Sequence, residues 1–357
     1  MILLLRPIPP FIEFCKVENG QFFVDKTVLD QEGITKIIDN PTQIQGVGYL
    51  LSHGGEVFSD TVNMLNKVSL NKISECISFS PECNDLTLKM ARIFLKKLST
   101  IPQALFCDTA YFVNLPREAS TYAVPYVLRE QGVRRYGGYG LIHNWVWQTI
   151  QDTSDKNVNK LISIHLGDNP NIAAIKEGKP IETTIGFTSA EGLPSFRGCG
   201  DIDPTIVFQL HSKGMPFEGI YDLLSNESGF TALAGEECRY LDIVTDKAAP
   251  NISKVKQMLL YDIIKYIGAF ASLMGGIDVL VFVTKNLKQS ERFIAEICDG
   301  LDFLGLSQKG IVREKTPVQN FTGKDSNAKV LYLEQSQWNI MAQEIEEIIK
   351  KEMRDGR

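Results

Sequence analysis

Short apolar runs closed by turn residues alternate along this chain with stripes at helical spacing. That alternation restricts it to an α/β fold. Ile2–Leu5, Val47–Leu51, Gln103–Cys107, Leu161–Leu166, Val279–Val283 and Lys329–Leu333 read as buried strands. Between them, Leu86, Met90, Ile93 and Phe94 keep one face across Asp85–Leu98. Val255, Leu259, Ile263, Tyr266, Ile267 and Phe270 do the same, with Asn251 or Ser253 as the N-cap. Trp338, Met341, Ile345, Ile348 and Ile349 form a final amphipathic stripe. Leu161–Glu182 breaks the rhythm. There β-rich runs are joined through Gly167-Asp168-Asn169-Pro170 and turn again at Glu177-Gly178-Lys179-Pro180, which predicts a hairpin or meander. An α/β domain that opens with a meander suits a duplicated fold whose second copy begins near residue 165. No repeat is visible at the level of residues, and no low-complexity linker.

The chain has 357 residues, enough for two domains or one large bilobed unit. Its net charge of -6 and the lack of a long Lys/Arg block argue against a nucleic-acid partner. Lys350, Lys351 and Arg354 follow Glu344, Glu346 and Glu347, a solvated helix face with i,i+4 pairing. The 7 cysteines form no C-x-x-C pair, as expected of reduced thiols in the cytosol. Arg6, Pro7, Pro9 and Pro10 end the apolar start too early for a signal peptide. Phe270–Val283 contains Gly275, Gly276 and Asp278 and is too short to span a bilayer. The expectation is a cytoplasmic protein with no membrane association.

From His165 to Pro204 the chain reads His165-Leu166-Gly167, then Ala174-Ile175-Lys176-Glu177-Gly178-Lys179, Gly186-Phe187-Thr188, Glu191-Gly192-Leu193 and Gly200-Asp201-Ile202-Asp203-Pro204. In order and spacing this resembles the acetokinase family (the acetate, propionate and butyrate kinases), whose signature runs H-L-G-N-G-A-S, A-I-K-x-G-K, G-F-T-P-L-E-G-L and S-G-D-I-D-P. His53-Gly54-Gly55, Asp108-Thr109-Ala110-Tyr111, Tyr122-Ala123-Val124-Pro125-Tyr126, Arg134-Arg135-Tyr136-Gly137, Lys265-Tyr266-Ile267-Gly268-Ala269 and Gly300-Leu301-Asp302-Phe303-Leu304-Gly305 match further family pieces in the same order. The resemblance covers nearly the whole chain and is weakest in the shortened N-terminal third. It implies the two-domain acetate and sugar kinase/Hsp70/actin (ribonuclease H-like) fold with an interdomain cleft. Residues 1–110 plus 337–357 would form the N-terminal domain and 111–336 the C-terminal one. It also implies a homodimer through the second domain, and ATP with Mg²⁺ phosphorylating a small carboxylate.

Phosphoryl transfer is mostly positioning and charge stabilisation. The family's phosphate loop, N-S-G-S-S-S-x-K, falls on Arg6–Glu13, where Pro7, Pro9 and Pro10 supply no N–H and Glu13 replaces the Lys. The catalytic Arg falls on Leu50, a phosphoryl-contacting His on Tyr139, a second Arg on Gly198, and an apolar pocket residue on Glu82. The nucleotide-site S-S-D-M-R falls on Glu237–Leu241 and the Gly-rich nucleotide loop on Thr284–Gln289. The Mg²⁺-linked Glu falls around Ser336 or Gln337.

The candidate catalytic residues are therefore Asp108, His165 and Arg197. Asn84, Tyr139, His143, Asp168 and Lys285 are candidates for the substrate or nucleotide cleft, and no metal ligand is assigned. Each has a plainer reading beside it. Asp108 could cap a turn, His165 could be a structural hydrogen-bonder, and His53 and His143 could be packing residues. Arg197 either replaces the missing Arg by a one-residue slip or is a surface side chain. Cys199 reads as a buried thiol, and Trp145 and Trp147 as core filling. The reading that follows is a catalytically impaired acetokinase homologue in a scaffold or regulatory role, with ATP and Mg²⁺ as cofactors if it is active and none otherwise. The alternative is an active carboxylate kinase with a rebuilt site and altered substrate.

Overall fold

The computed structural model describes residues 1–153, 158–245, 250–309, 318–334 and 337–355. In chain order the strands are β1 (Ile2–Ile8), β2 (Phe11–Glu18), β3 (Gln21–Thr27), β4 (Gly46–Leu51), β5 (Val62–Met64), β6 (Gln103–Cys107), β7 (Lys160–His165), β8 (Asn171–Lys176), β9 (Lys179–Thr183), β10 (Val279–Val283), β11 (Val318–Asn320) and β12 (Lys329–Leu333). The helices are α1 (Gln31–Ile37), α2 (Lys67–Glu75), α3 (Pro81–Lys97), α4 (Arg117–Ser120), α5 (Tyr126–Glu130), α6 (Gly140–Asp152), α7 (Thr205–Ser212), α8 (Phe217–Asn226), α9 (Gly229–Ala234), α10 (Tyr240–Val244), α11 (Pro250–Met274), α12 (Leu287–Asp299) and α13 (Gln337–Arg354). Among the described residues no helix is long and apolar enough to cross a membrane.

The chain divides into two compact units. The first holds Met1–Val113 and Gly138–Ile142 together with α13; the second holds Asn114–Gly137 and the chain from His143 through β12. The first unit is built on a sheet ordered β3-β2-β1-β4-β6-β5, the second on one ordered β11-β12-β10-β7-β8-β9. Read from the meander side these are the same topology. Each sheet opens with an antiparallel meander, β1-β2-β3 or β7-β8-β9. Each continues through parallel strands, β1-β4-β6 or β7-β10-β12, and ends on a short antiparallel edge strand, β5 or β11. The duplication is one of topology and not of residues.

In the first unit β4 is buried along its whole length, as a parallel strand covered on both faces must be. Val47, Tyr49 and Leu51 join Leu3, Leu5, Met90, Ala91 and Phe94 in one apolar layer. On the opposite face Gly46 and Gly48 let α13 lie close: a Cβ at Gly46 would stand 2.6 Å from Cγ2 of Ile345, and one at Gly48 would stand 3.4 Å from Cε of Met341. The alternation of glycine with large residues along β4 follows from the strand's period of two. In the second unit Ile162, Ile164, Leu280, Phe282, Val330 and Tyr332 meet Leu259, Ile263 and Ile267 of α11 in the other core.

Differences from the sequence expectation are local. Helix α11 starts at Pro250, so Asn251 and Ser253 lie inside it and not at its N-cap. Asn251 instead donates from Nδ2 to the Ala234 carbonyl at 3.0 Å. Proline suits a first helical position because its missing N–H has no partner there to lose. Lys350 pairs with Glu347 at i,i+3. Trp145 and Trp147 are half-buried, and the indole of Trp147 covers the β8–β9 turn at Gly178, where a Cβ would stand 3.1 Å from Nε1.

The contact between β4 and α13 yields a double-mutant test. Gly46→Ala should destabilise the first unit by about 1–3 kcal/mol through overpacking, and Ile345→Ala by about 2–5 kcal/mol through a cavity. The double variant should fall short of their sum by about 1 kcal/mol or more in urea unfolding. Strict additivity would show that helix and strand do not meet there.

Candidate functional site

In the first unit the segment from Arg6 to Glu13 is a hairpin. Arg6 pairs with Glu13, Pro7 with Ile12 and Ile8 with Phe11, so ladder pairing runs up to the Pro9-Pro10 turn. A phosphate cradle needs successive free N–H groups on small residues, and this turn has prolines at its centre. The Arg6 guanidinium forms an ion pair with the Glu13 carboxylate. It also donates to Oε1 of Gln337 at 3.3 Å, and its Cζ lies 5.3 Å from the centroid of the Trp338 ring. Its charge is thus neutralised within the unit.

Gln337 links Arg6 to Asp108, donating from Nε2 to Oδ2 of Asp108 at 3.3 Å. Asp108 follows the C-terminal end of β6 and is buried. The amide of Leu141 approaches its Oδ1 at 3.4 Å, and its own carbonyl accepts from the Gly140 amide at 2.8 Å at the start of α6. Burial pushes the Asp108 carboxyl up to about 7; the Leu141 amide, Gln337, the charge of Arg6 and the Tyr139 amide oppose this without overcoming it. Tyr139 itself is half-buried and sits in the left-handed region at φ 56.

Asn84 is a structural brace. Its amide donates to the carbonyls of His53 and Cys76 at 2.8 and 2.7 Å and faces the His53 amide at 3.4 Å. His53 is buried and stacks on Phe79 with centroids 4.7 Å apart. Leu50 is buried in the strand and Glu82 is exposed at the start of α3. Ser336 lies outside the described residues.

The second unit gathers His143, Ser163, His165 and Asn171. His165 ends β7 and Asn171 opens β8, and the two are register partners. His143 lies between Ser163 Oγ, 2.8 Å from Nδ1, and Asn171 Oδ1, 2.7 Å from Nε2. Burial, and less strongly the charge of His165, pull the His143 imidazole down to about 3, although its bond to Asn171 opposes this. It is therefore neutral. Asn171 Nδ2 lies 3.1 Å from His165 Nδ1.

Nearby in the chain, Asp168 pairs with Arg239 at 2.9 Å and accepts the Tyr240 amide at 3.0 Å, capping α10. Arg239 lies over Phe196 with Cζ 4.2 Å from the ring centroid. Arg197 is exposed, with Cζ 5.1 Å from the same ring, and it is Arg239 that reaches Asp168. Lys285 is exposed just before α12. Cys199 is half-buried, where burial pushes its thiol up and away from reactivity. Sequence reasoning singled out neither Arg239 nor Asn171. The signal for Asn171 was its place opposite His165 across the turn, which becomes visible once a hairpin register is assigned.

Two sheets of one topology, each opening with a meander and continuing through parallel strands, are the arrangement of the acetate and sugar kinase/Hsp70/actin fold. The acetokinase family model matches residues 21–350. An acetate kinase of Carboxydothermus hydrogenoformans is 33% identical over 91% of this chain and 82% of its own length. The crystal structure of Porphyromonas gingivalis acetate kinase superposes with a TM-score of 0.83 at 26% identity, covering 98% of this chain and 99% of that one. A propionate kinase from Francisella tularensis shares the fold with a TM-score of 0.85 at 21% identity, covering 97% and 99%. The chain belongs to the acetokinase family. Its fold is the two-domain acetate and sugar kinase/Hsp70/actin type.

The family reaction uses ATP and Mg²⁺, and the residues of the first unit do not fit them. The Arg6–Glu13 hairpin offers no run of amides to phosphate. The oxygens of Asp108 are engaged by Leu141 and Gln337, and its carboxyl is close to half-protonated at neutral pH. Mg²⁺ requires ionised or strongly polar oxygens. Among the described residues no group of three or more His, Cys, Asp or Glu gathers as a metal-ligand set. That bears on a resident metal and not on Mg²⁺ carried in by a nucleotide.

The raised carboxyl has a stability consequence. Between about pH 4 and 7 the folded chain holds a proton on Asp108 that the unfolded chain has released, so stability falls as pH rises through that window. Asp108→Asn, which mimics the protonated form, should remove the decline. The variant should be more stable than the parent by roughly 2–4 kcal/mol at pH 8 and equal to it near pH 4, measured by urea unfolding. A variant less stable at both pH values would show the carboxylate to be favourably bound.

Proposed function

We propose that this acetokinase-family protein is impaired in transferring the γ-phosphoryl group of ATP to a carboxylate, and that it serves a scaffold or regulatory role. The observation that carries this reading is the turn of the β1–β2 hairpin, where Pro9 and Pro10 supply no N–H. Where the family's phosphate loop falls, the backbone is paired through Ile8 and Phe11 and turns on Pro9-Pro10. The side chains around it support the reading. Arg6 is matched by Glu13, Asp108 is buried and bound to Gln337, and Asn84 is committed to the carbonyls of His53 and Cys76. Loss of one phosphoryl-stabilising Arg or oxyanion donor typically lowers turnover by about 10²–10⁵, and the losses here coincide.

A second reading is an active carboxylate kinase with a rebuilt site and altered substrate. It is favoured by 33% identity to an acetate kinase over 91% of the chain and by His165 in its strand-end position. A hydroxamate assay for acyl phosphate, across acetate, propionate and butyrate with ATP and Mg²⁺, separates the two. The impaired reading expects turnover at least about 10³ below that of an active acetate kinase assayed alongside. Comparable turnover, lost in His165→Ala, would establish the second reading.

A further inference from the structure

Strand β3 is the last strand at one edge of the first unit's sheet, and its Phe22, Phe23 and Val24 are exposed. Which of its backbone groups face outward follows from the hairpin that precedes it. The turn between β2 and β3 is Asn19-Gly20, with φ 49 and 76. A two-residue turn of this kind makes its flanking residues, Glu18 and Gln21, a hydrogen-bonded pair. Along an antiparallel ladder such pairs alternate with non-hydrogen-bonded ones. Gln21, Phe23, Asp25 and Thr27 therefore spend their amides and carbonyls on β2, and Phe22, Val24 and Lys26 aim theirs at the open side. The side-chain contacts of Lys26 agree with this phase. Its carbonyl accepts from Lys36 Nζ at 3.2 Å, and its amide donates to Oδ1 of Asp25 at 2.7 Å. Lys26 is thus closed to another strand. Among the described residues, the open hydrogen-bonding groups of this edge are those of Phe22 and Val24.

We propose that β3 pairs antiparallel with β3 of a second copy of this chain, about a two-fold axis at Phe23, joining two six-stranded sheets into one. The edge complements itself best in this register. Phe22 of each copy faces Val24 of the other and exchanges both backbone hydrogen bonds with it. Phe23 meets its own copy in the non-hydrogen-bonded pair between them, where side chains stand closest. On the opposite face Phe22 lies against Val24, so both faces bury apolar surface. Gln21 falls opposite Asp25, and Gly20, which has no side chain, falls opposite Lys26, so no like charges meet. Other registers lose bonds or oppose charges. An axis at Val24 requires the engaged groups of Lys26. An axis at Asp25 requires them too, and it sets two carboxylates against each other. An axis at Phe22 leaves Val24 opposite the turn at Gly20. Charges that guard an edge against pairing are found here at Asp25, Lys26 and Lys36, all toward one end. This assembly goes beyond the impaired-kinase reading and does not depend on it.

Site-directed cross-linking of the full chain tests this. Phe23→Cys places two thiols in the non-hydrogen-bonded pair, where Cα atoms stand about 4.5 Å apart, within the span of about 4.4–6.8 Å that a disulfide bridges. Mild oxidation should give a covalent dimer on non-reducing gels. Gln21 is also exposed on β3, but in this register it lies about 13 Å from its own copy, so Gln21→Cys should give none. The parent, whose cysteines are buried or half-buried, should give none either. Adding Val24→Pro to Phe23→Cys removes one outward amide and no bond to β2, and it should abolish the cross-link. Cross-linking no faster at position 23 than at position 21, or surviving Val24→Pro, would overturn the proposal. Should the proline variant fail to fold, the contrast between the two cysteine positions decides alone. Sedimentation of the untreated parent gives a second readout. Its mass should double with rising concentration, and Phe23→Lys, which sets two lysines opposite each other, should remove that step. A dimer through the second unit would be untouched by Phe23→Lys and is thereby distinguished. Equal masses for parent and Phe23→Lys at every concentration would overturn the proposal. No readout involves nucleotide or turnover, so failure here is distinct from failure of the impaired-kinase reading.

Discussion

Antiparallel pairing of β1 with β2 is the constraint on which the first unit's chemistry depends. Once Ile8 pairs with Phe11, the backbone that follows the first strand is committed to a sheet. Free amides for phosphate would have to come from the turn of such a hairpin, and Pro9 and Pro10 offer none. The pairing also sets Arg6 opposite Glu13, so Arg6 meets its counter-charge on the neighbouring strand. Gln337 and Trp338 add contacts from α13, and Gln337 carries the connection on to Asp108. A residue that could have faced a nucleotide thereby becomes part of the packing.

The second unit retains a different character. Its meander has the same topology as the first, but its first two strands are joined by a longer connection, which places His165 beside Asn171 at the mouth of the turn. The buried part of that network is fully partnered and neutral, which is the condition under which polar groups are tolerated in a core. Asp168, Arg239 and Phe196 form a second set nearby in the chain, with the charge pair half-exposed and therefore weak in stability terms.

Most of the frame was legible in the sequence because buried parallel strands leave dense apolar runs. Val279–Val283 and Gln103–Cys107 were read with the bounds they have in the structure. The outer meander strands of the first unit were not legible. β3 is exposed on both faces over nearly its whole length, so it shows no alternation of apolar and polar residues. The start of α11 is not legible from capping residues alone, because Asn251 and Ser253 have N-cap chemistry but follow Pro250 in the first turn. At the site, the family resemblance marked Asp108, His143 and His165, but their partners Gln337 and Asn171 lie opposite them only after folding. Whether a carboxylate is desolvated or a histidine neutral depends on such partners, and one-dimensional spacing does not carry that information.

Calorimetric titration of the full chain with MgATP tests the central claim most directly, because it asks whether the first unit's groups remain available to phosphate. If the hairpin and its ion pair have replaced the phosphate loop, no saturable heat should appear at millimolar nucleotide. Saturable binding with a dissociation constant in the micromolar range, about 8 kcal/mol of affinity, would contradict the claim.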